Sequence, residues 1–240
     1  MVSKEFNFKN AISSLKKLEN KEKAKVYKWF FKTGKGEYGE GDKFLGLSSS
    51  QIQNISEKFK DLSLGEVLRL LKGKYHEERM LGVRILVNKF KKSDELCKKE
   101  IAEFYLKNSK FINNWDLVDV SAYKILGPYA ELAGNNFLFD LSGSKLIWER
   151  RMSIVATFHF IKKGQSDLTL RIARQLLGDG EDLMHKAVGW MLREVGKRCG
   201  ENIEEVFLKK HYKIMPRTML RYAIERFKED KRKRYLLGQI

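Results

Sequence analysis

Apolar residues recur every three to four positions along most of the chain, the spacing that gathers side chains on one face of an α-helix. The period is clearest in five segments: SLGEVLRLLK, EERMLGVRILVNKF, WERRMSIVATFHFI, DLMHKAVGWMLREVGKR and RTMLRYAIERF. No segment alternates apolar and polar residues between turn residues, as a half-buried strand would. Only two of the 240 residues are proline, so few positions interrupt a helix. The pattern predicts an all-α protein of roughly a dozen short helices.

Short helices with short connections favour a stack of antiparallel helix pairs. The breaks between helices are rich in Asn, Gly and Ser: KNSKFINN, AGNN, LSGS, KKGQS and GDGED. Helix pairs that repeat every 40–47 residues or so build HEAT-like solenoids, which have a concave face. We therefore predict one HEAT-like domain over residues 1–240 with a concave basic face. A compact irregular helical bundle is the alternative, because the segments resemble one another only weakly.

A glycine-rich stretch, KTGKGEYGEGDKFLGL, predicts a loop at about residues 33–47. Gly34 to Gly39 match the GxGxxG pattern, but no strand precedes them and no βαβ unit surrounds them, which excludes a dinucleotide site. A Walker A loop is excluded because Glu40 stands where lysine is required. Two interpretations remain, a plain connection between helices and a loop whose backbone amides approach a phosphate backbone.

The charge balance points to a polyanionic partner. Forty-eight Lys and Arg face thirty-one Asp and Glu, a formal charge of +17, and nucleic acid is the leading candidate. A membrane is a weaker one, since no segment reaches the roughly 18 consecutive apolar residues of a spanning helix. The N-terminus lacks the apolar stretch of a secretory signal, so we expect a cytoplasmic protein. Cys97 and Cys199 are far apart with no CxxC spacing, so neither a metal site nor a disulfide is expected.

The segment INNWDLVDVSAYKILG places two acids in different surroundings on one predicted helix. Its apolar stripe consists of Val118, Ala122, Ile125 and Leu126. Asn113 suits the N-cap, which puts Asp116 in the first turn, where a carboxylate favours the positive end of the helix. Asp119 falls at the margin of the stripe, between Trp115 and Tyr123. A carboxylate beside aromatic rings is desolvated on one side, so Asp119 is either paired with a cation or functional.

The helix predicted over DLMHKAVGWMLREVGKR carries an aromatic residue on its polar face. Its core stripe consists of Met184, Val188, Met191, Leu192 and Val195. Trp190 points to the opposite side, between Lys186, Arg193 and Glu194. Bases and sugars stack on such rings, and nearby cations neutralise phosphates. The alternative is that another helix covers this face.

Arginines occupy unusual positions on two further helices. Arg151 lies in the centre of the apolar stripe of WERRMSIVATFHFI, and Arg150 lies at its edge. A buried guanidinium needs an anion or carboxylate, unless the aliphatic part of the side chain extends far enough for the guanidinium to reach water. Pro216 stands near the start of the last helix, where Arg217 and Arg221 are four residues apart. These two arginines fit a phosphate clamp or a solvated basic face.

Together these segments resemble the DNA alkylation repair family, the AlkD-like alkylpurine DNA glycosylases built from HEAT-like repeats. The resemblance rests on GEYGEGDKFLG, NNWDLVD, WERRMSIVATF, HKAVGWMLREVGK and MPRTMLRYAIERF, in this order, between about residues 30 and 230. It implies that Trp115, Asp119 and Trp190 face the lesion and that Arg151 completes the site. It also implies excision of cationic purines, such as 3-methyladenine and 7-methylguanine, from duplex DNA without a deep base pocket.

One segment departs from the family's pattern. After FLG many members carry a basic residue and then Pro-x-x-Arg, whereas Ser48, Ser50 and Gln53 occupy those places here, so a backbone contact near the N-terminal loop is in doubt.

From the residues and the resemblance together we expect a monomeric, monofunctional glycosylase that leaves an abasic site and needs no cofactor. The expected DNA contacts are Lys43, Arg150, Lys186, Arg193, Arg217 and Arg221. The competing hypothesis is a non-catalytic basic helical-repeat module that binds DNA or RNA structure or a partner protein.

Overall fold

The computed structural model describes residues 6–240 and confirms the all-α class. Those residues form fifteen α-helices and two short 3-10 helices, with a single isolated bridge between Lys43 and Tyr75 instead of a strand. Within the same range no helix has both the length and the apolarity needed to cross a membrane. Contacts divide the chain into two compact units, one ending at Ser121 and the other running from Ala122 to Ile240. The one-domain organisation stays a prediction.

The first unit is built around one long helix with an unusual polar start. Its helices are α1 (Phe8–Lys16), α2 (Lys21–Phe30), α3 (Ser49–Lys58), α4 (Leu64–Leu71), α5 (His76–Lys92), α6 (Glu95–Lys107), the 3-10 turn Ser109–Phe111 and the first turns of α7 (Trp115–Ala133). α1, α3, α4 and α6 all contact α5. The first turn of α5 buries His76, Glu77, Glu78 and Arg79, which places four ionisable side chains inside the unit.

Side-chain caps fix where the helices of this unit begin. Ser48 and Ser63 each form a capping box, with Gln51 and Glu66 respectively. Such a box satisfies two backbone donors at the helix start that have no partner within the helix. Ser48 is one of the positions that depart from the family's pattern, and here it begins α3.

The glycine-rich segment is a loop between α2 and α3, as predicted. Gly46 has φ +85°, and a Cβ there would lie 2.2 Å from the carbonyl oxygen of Asn20, so only glycine fits. The buried carboxylate of Glu77 accepts hydrogen bonds from the amides of Leu45 and Gly46 (2.8 and 2.7 Å). The loop is therefore anchored to the start of α5.

Two amides in this loop bond to the loop's own acids. Gly34 donates to the carboxylate of Glu37, and Gly36 donates to that of Glu40, both at 2.8 Å. Because carboxylates already occupy these donors, the phosphate-binding interpretation of the loop gains no support from them.

The second unit is built around α12. Besides the rest of α7, it contains α8 (Asn136–Ser142), α9 (Ile147–Ala156), α10 (Phe158–Ile161), α11 (Asp167–Gln175), α12 (Asp182–Arg198), α13 (Glu201–His211), α14 (Arg217–Ala223), the 3-10 turn Ile224–Arg226 and α15 (Glu229–Leu237). α9, α11, α13 and α14 contact α12, and all five residues of its predicted core stripe are 0% exposed. A Cβ on Gly189 would lie 2.4 Å from the carbonyl oxygen of Met219, so glycine permits the close contact between α12 and α14.

Candidate functional site

The helix that carries both candidate residues of the first unit begins at Trp115. Asn114 directly precedes it, and its side-chain oxygen accepts a hydrogen bond from the Trp115 amide (2.8 Å). The predicted cap at Asn113 is therefore wrong by one residue. Adjacent asparagines have the same capping chemistry, and tertiary contact selects between them, since the side-chain amide of Asn114 also donates to Asp42 (3.4 Å).

Asp119 lies one helical turn after Trp115, and both side chains are half-buried. Val118, beside Asp119 on the apolar stripe, is 0% exposed, so this side of the helix faces the core. Burial raises the pKa of the Tyr105 hydroxyl, its hydrogen bond with Ser121 (2.7 Å) lowers it, and the charge of Asp119 raises it further. The carboxylate of Asp119 thus lies within electrostatic reach of a buried hydroxyl pair.

Aromatic residues of α2 and the glycine-rich loop hold the Trp115 ring in place. The ring stacks on Phe31, with centroids 5.5 Å apart and planes at 25°, and meets the edge of Phe30 at 6.0 Å. Its indole N–H donates to the hydroxyl of Tyr38 (3.3 Å). Tyr38 belongs to the glycine-rich loop, so this loop supports the aromatic residue that the resemblance places at the lesion.

A pocket of about 280 Å³ opens beside Trp115. Its lining includes Tyr27, Phe31, Ile52, Met80, Trp115, Arg84 and Asp116. Arg84 donates to the hydroxyl of Ser49 (2.5 Å) and to the side-chain oxygen of Gln53. Burial lowers the pKa of Arg84, and the charge of Asp116 opposes this. Sequence reasoning missed Arg84, whose two partners lie in and beside the segment that departs from the family's pattern.

A buried histidine joins the start of α7 to the glycine-rich loop. The ring of His76 contacts the carboxylates of Asp116 (Nε2 to Oδ2, 2.9 Å) and Asp42 (Nδ1 to Oδ2, 3.4 Å), and Arg79 forms an ion pair with Asp42. Asp116 is therefore more than the first-turn acid that the sequence predicted. No local signal could reveal this network, because His76 lies 40 residues before Asp116 in the chain.

In the second unit Arg151 is buried, as its place in the apolar stripe of α9 predicts. The residue is 5% exposed, and its Nη1 donates to the carbonyl oxygen of Leu183 (2.7 Å). Leu183 is the second residue of α12. Arg151 thus fixes the first turn of the helix that carries Trp190.

Trp190 is half-buried and ends a row of aromatic rings in this unit. Its ring lies 6.0 Å from that of Phe158, which in turn meets the edge of Tyr123 at 5.4 Å. The guanidinium of Arg198 lies 5.3 Å from the centre of the Phe158 ring. Glu194, which the sequence placed beside Trp190 on the polar face, is instead 6% exposed and pairs with Arg198 (2.9 Å).

The six basic residues predicted to contact DNA fall into two groups. Three form ion pairs: Arg150 with Asp179 (2.6 Å), Lys186 with Asp182 (2.7 Å) and Arg193 with Glu225. The exposed ones are Lys43, Arg217 and Arg221. Arg217 also donates to the carbonyl oxygen of Leu236 (2.6 Å), whereas the side chain of Arg221 makes no ion pair within residues 6–240.

The structure brings Trp115 and Asp119 together on α7 and ties Arg151 to the helix of Trp190. The two pairs belong to different units. Their meeting at one lesion stays a prediction.

Comparison with known proteins assigns the chain to a family. The model of the family described as "DNA alkylation repair enzyme" matches residues 11–227. A solved structure, of a predicted DNA alkylation repair enzyme from Enterococcus faecalis, is similar with a TM-score of 0.68 and 16% identity, over 88% of this chain and 97% of that one. At this identity it shows a common fold. No curated protein sequence matches. Because the family model spans most of its length, the chain belongs to the DNA alkylation repair enzyme family.

Proposed function

We propose that this protein is a DNA glycosylase that excises cationic N-alkylated purines from duplex DNA and leaves an abasic site. The observation that carries the proposal is the half-buried carboxylate of Asp119, one turn from Trp115 on α7, in a chain of this family. Binding to phosphates alone would not require an acid at this position. The excess of cations supplies the affinity for DNA.

The reaction requires one ionised carboxylate of the protein beside the sugar of the lesion nucleotide. An N-alkylated purine already carries a positive charge, so it leaves without protonation by a general acid. As the C1′–N bond breaks, positive charge develops on the sugar, and an ionised carboxylate beside it stabilises that charge. The same carboxylate orients the water that attacks C1′ and accepts its proton. Asp119 performs both roles in this proposal.

Trp115 and Trp190 would hold the lesion nucleotide through contact between ring faces and cationic or C–H edges, each contact being worth roughly 0.5–2 kcal/mol. The fixed orientation of Trp115 on Phe31 and Tyr38 supports this role, since a held ring loses little freedom on binding. We assign a positioning role to Arg151, because its buried guanidinium holds the first turn of α12, the helix that carries Trp190. Because only charged lesions depart readily, no base-reading pocket is needed for specificity.

The test of Asp119 is the release of 7-methylguanine from methylated duplex DNA. Asp119→Asn keeps the size of the side chain and removes its charge, so we expect release to fall by about a hundredfold or more. Affinity for the same DNA should stay within about threefold of the parent, because one acid contributes little to phosphate binding. Asp140→Asn, an exposed acid on α8, is the matched control and should release the purine at the parent rate.

The outcomes separate the two hypotheses for this chain. Unchanged release by Asp119→Asn would remove Asp119 from catalysis, provided that its thermal unfolding shows an intact fold. A parent protein that binds methylated DNA tightly but releases no purine would support the non-catalytic module.

A further inference from the structure

α2 presents an exposed apolar face that the proposed site does not use. None of its residues is fully buried, and Val26, Trp29 and Phe30 are 60%, 81% and 52% exposed. These three share one side of the helix, since their positions differ by three and four residues. An indole ring that is four-fifths exposed is costly to leave in water and indicates a binding partner.

Lysines surround this face. Between residues 21 and 35 the chain carries one acid, Glu22, and six lysines: Lys21, Lys23, Lys25, Lys28, Lys32 and Lys35. A concave pocket of about 560 Å³ lies beside α2, and its lining includes Trp29, Phe30, Lys25, Lys28, Lys32 and Glu37. We use the name α2 surface for the pocket residues Trp29, Phe30, Lys25, Lys28 and Lys32 together with Val26.

This pocket contains lysines that no carboxylate in the described part of the chain neutralises. Lys25 pairs with Glu22 (2.9 Å), and the carboxylate of Glu37 accepts a hydrogen bond from the Gly34 amide. Lys28 and Lys32 form no ion pair among residues 6–240. Two cations beside an exposed indole ring are therefore available to a ligand that combines phosphates with flat rings.

The backbone holds one of these lysines beside Trp29 in a conformation that lysine rarely adopts. Lys32 has φ +50° and is the only residue other than glycine with a positive φ between residues 6 and 240. Its amide donates to the carbonyl oxygen of Trp29 (3.2 Å), and its own carbonyl accepts from Gly39 (3.1 Å). Glycine adopts this conformation without steric cost, so the chain keeps a side-chain cation here against a conformational penalty.

We propose that the α2 surface binds a DNA strand with unpaired bases, with Trp29 stacked on one base and Lys28 and Lys32 on the flanking phosphates. The choice of DNA rests on the proposed function. The surface adjoins the candidate site within the first unit, because the ring of Phe30 contacts that of Trp115. Single strands are bound in this way, by aromatic platforms within a positively charged groove.

Two other partners fit the same surface less well. A second copy of the chain, related by a twofold axis, would bring the same lysines face to face, and like charges oppose such a contact. An anionic membrane requires a protruding apolar face, whereas Trp29 lines a concave pocket. Glu22 also falls between Trp29 and Val26 on the helical wheel, which interrupts the apolar face.

Binding of a fluorescent oligothymidylate of about 12 nucleotides tests the proposal. Trp29→Ala should weaken binding by about tenfold, and Trp29→Phe should restore most of it, because stacking tolerates any aromatic ring. Lys28→Gln and Lys32→Gln together should lower the slope of log K against log salt by roughly 1.4, about 0.7 for each phosphate contact on a single strand. Leu96→Ala is the matched control, since Leu96 is 82% exposed on α6, and its binding should equal that of the parent.

Purine release from methylated duplex DNA, measured on the same variants, separates this proposal from the proposed function. Trp29→Ala should keep that release, since Trp29 is outside the proposed catalytic set. If the parent releases no purine but its oligothymidylate binding depends on Trp29, the glycosylase proposal fails and this one stands. The proposal is overturned if folded Trp29→Ala binds oligothymidylate like the parent. If Trp29→Ala leaves oligothymidylate binding unchanged but abolishes binding to phosphatidylserine vesicles, the partner is a membrane. If it instead abolishes self-association in sedimentation, the partner is a second copy of the chain. Both results overturn the proposal.

Discussion

At the scale of single residues, His76 determines how the start of α7 is held. The residue is 3% exposed, and its ring lies 4.9 Å from those of Phe31 and Phe44. Burial alone would lower the pKa of His76, but the charge and hydrogen bond of Asp116 and the hydrogen bond of Asp42 raise it to about 9. At neutral pH the imidazole is therefore a cation whose two N–H groups both donate to carboxylates.

This pairing predicts a pH-dependent loss when the histidine is replaced. The pKa is raised by folding, so the stabilisation is complete below the ordinary value of 6.5 and is lost as pH rises through about 9. His76→Gln should lower the free energy of unfolding by about 3 kcal/mol at about pH 6, and by clearly less at about pH 10. Urea unfolding at the two pH values measures the difference.

His159→Gln is a suitable control, because His159 also contacts a carboxylate, that of Glu131 (2.9 Å), at a more exposed position. Its loss should stay below about 1 kcal/mol. An equal loss for His76→Gln at both pH values would mean that packing, and not the ion pair, accounts for its contribution.

At the scale of helices, α12 shows what periodicity can and cannot predict. Its five core positions follow from spacing alone, since a 3.6-residue period fixes which side chains share a face. The burial of Glu194 on the same helix does not follow, because it depends on Arg198 and on the helices that cover this position. Periodicity thus identifies the stripe but not the width of the buried face.

Where α12 and α13 meet, a glycine makes room for a buried acid. A Cβ on Gly196 would lie 1.8 Å from Oε2 of Glu204. Glu204 is 2% exposed, and its Oε1 has no hydrogen-bond partner among residues 6–240. Burial, together with the charge of Glu201, raises the pKa of Glu204 to about 8, against the opposing charge of Lys231. Its carboxyl group is therefore mostly protonated at neutral pH.

Because folding raises this pKa, the folded state binds more protons than the unfolded state between 4.5 and about 8. The contribution of Glu204 to stability therefore falls as pH rises through this range. Glu204→Gln removes the titration, so the variant should match the parent at about pH 5 and exceed its free energy of unfolding by roughly 4 kcal/mol at about pH 9.

Glu205→Gln is the control at the neighbouring residue, because folding shifts the pKa of Glu205 in the opposite direction. A hydrogen bond from Lys231 lowers the pKa of Glu205, so this variant should lose stability at neutral pH relative to acid pH. Chemical unfolding from about pH 5 to about pH 9 follows Glu204→Gln, and the same measurement extended down to about pH 3 follows Glu205→Gln, whose pKa lies below 4.5. A parent whose stability does not fall over this range, or a Glu204→Gln variant that is weaker at about pH 9, would contradict the buried protonated acid.

At the scale of the whole molecule, the all-α class followed from helical periodicity and the scarcity of proline. Both are local properties of the sequence. One of the two prolines, Pro128, lies inside α7, so its presence does not end that helix.

The candidate site was predictable only in part. Trp115 and Asp119 follow from their spacing on one helix, whereas the His76 network and the contacts of Arg84 join residues 31 to 40 positions apart. Such contacts leave no periodic signal in a single sequence.

The net charge of +17 predicts that binding to DNA weakens steeply with salt, but it does not say which cations contribute. Arg221 is exposed, so a phosphate can replace its water and release a counterion. Arg221→Gln should therefore lower the slope of log K against log salt by about 0.9. Arg150 instead holds the side chain of Asp179, which is 4% exposed, so Arg150→Gln should leave the slope unchanged and lower the melting temperature. If the two variants change the slope equally, Arg150 leaves Asp179 to contact a phosphate. If Arg221→Gln does not change the slope, α14 lies outside the DNA interface.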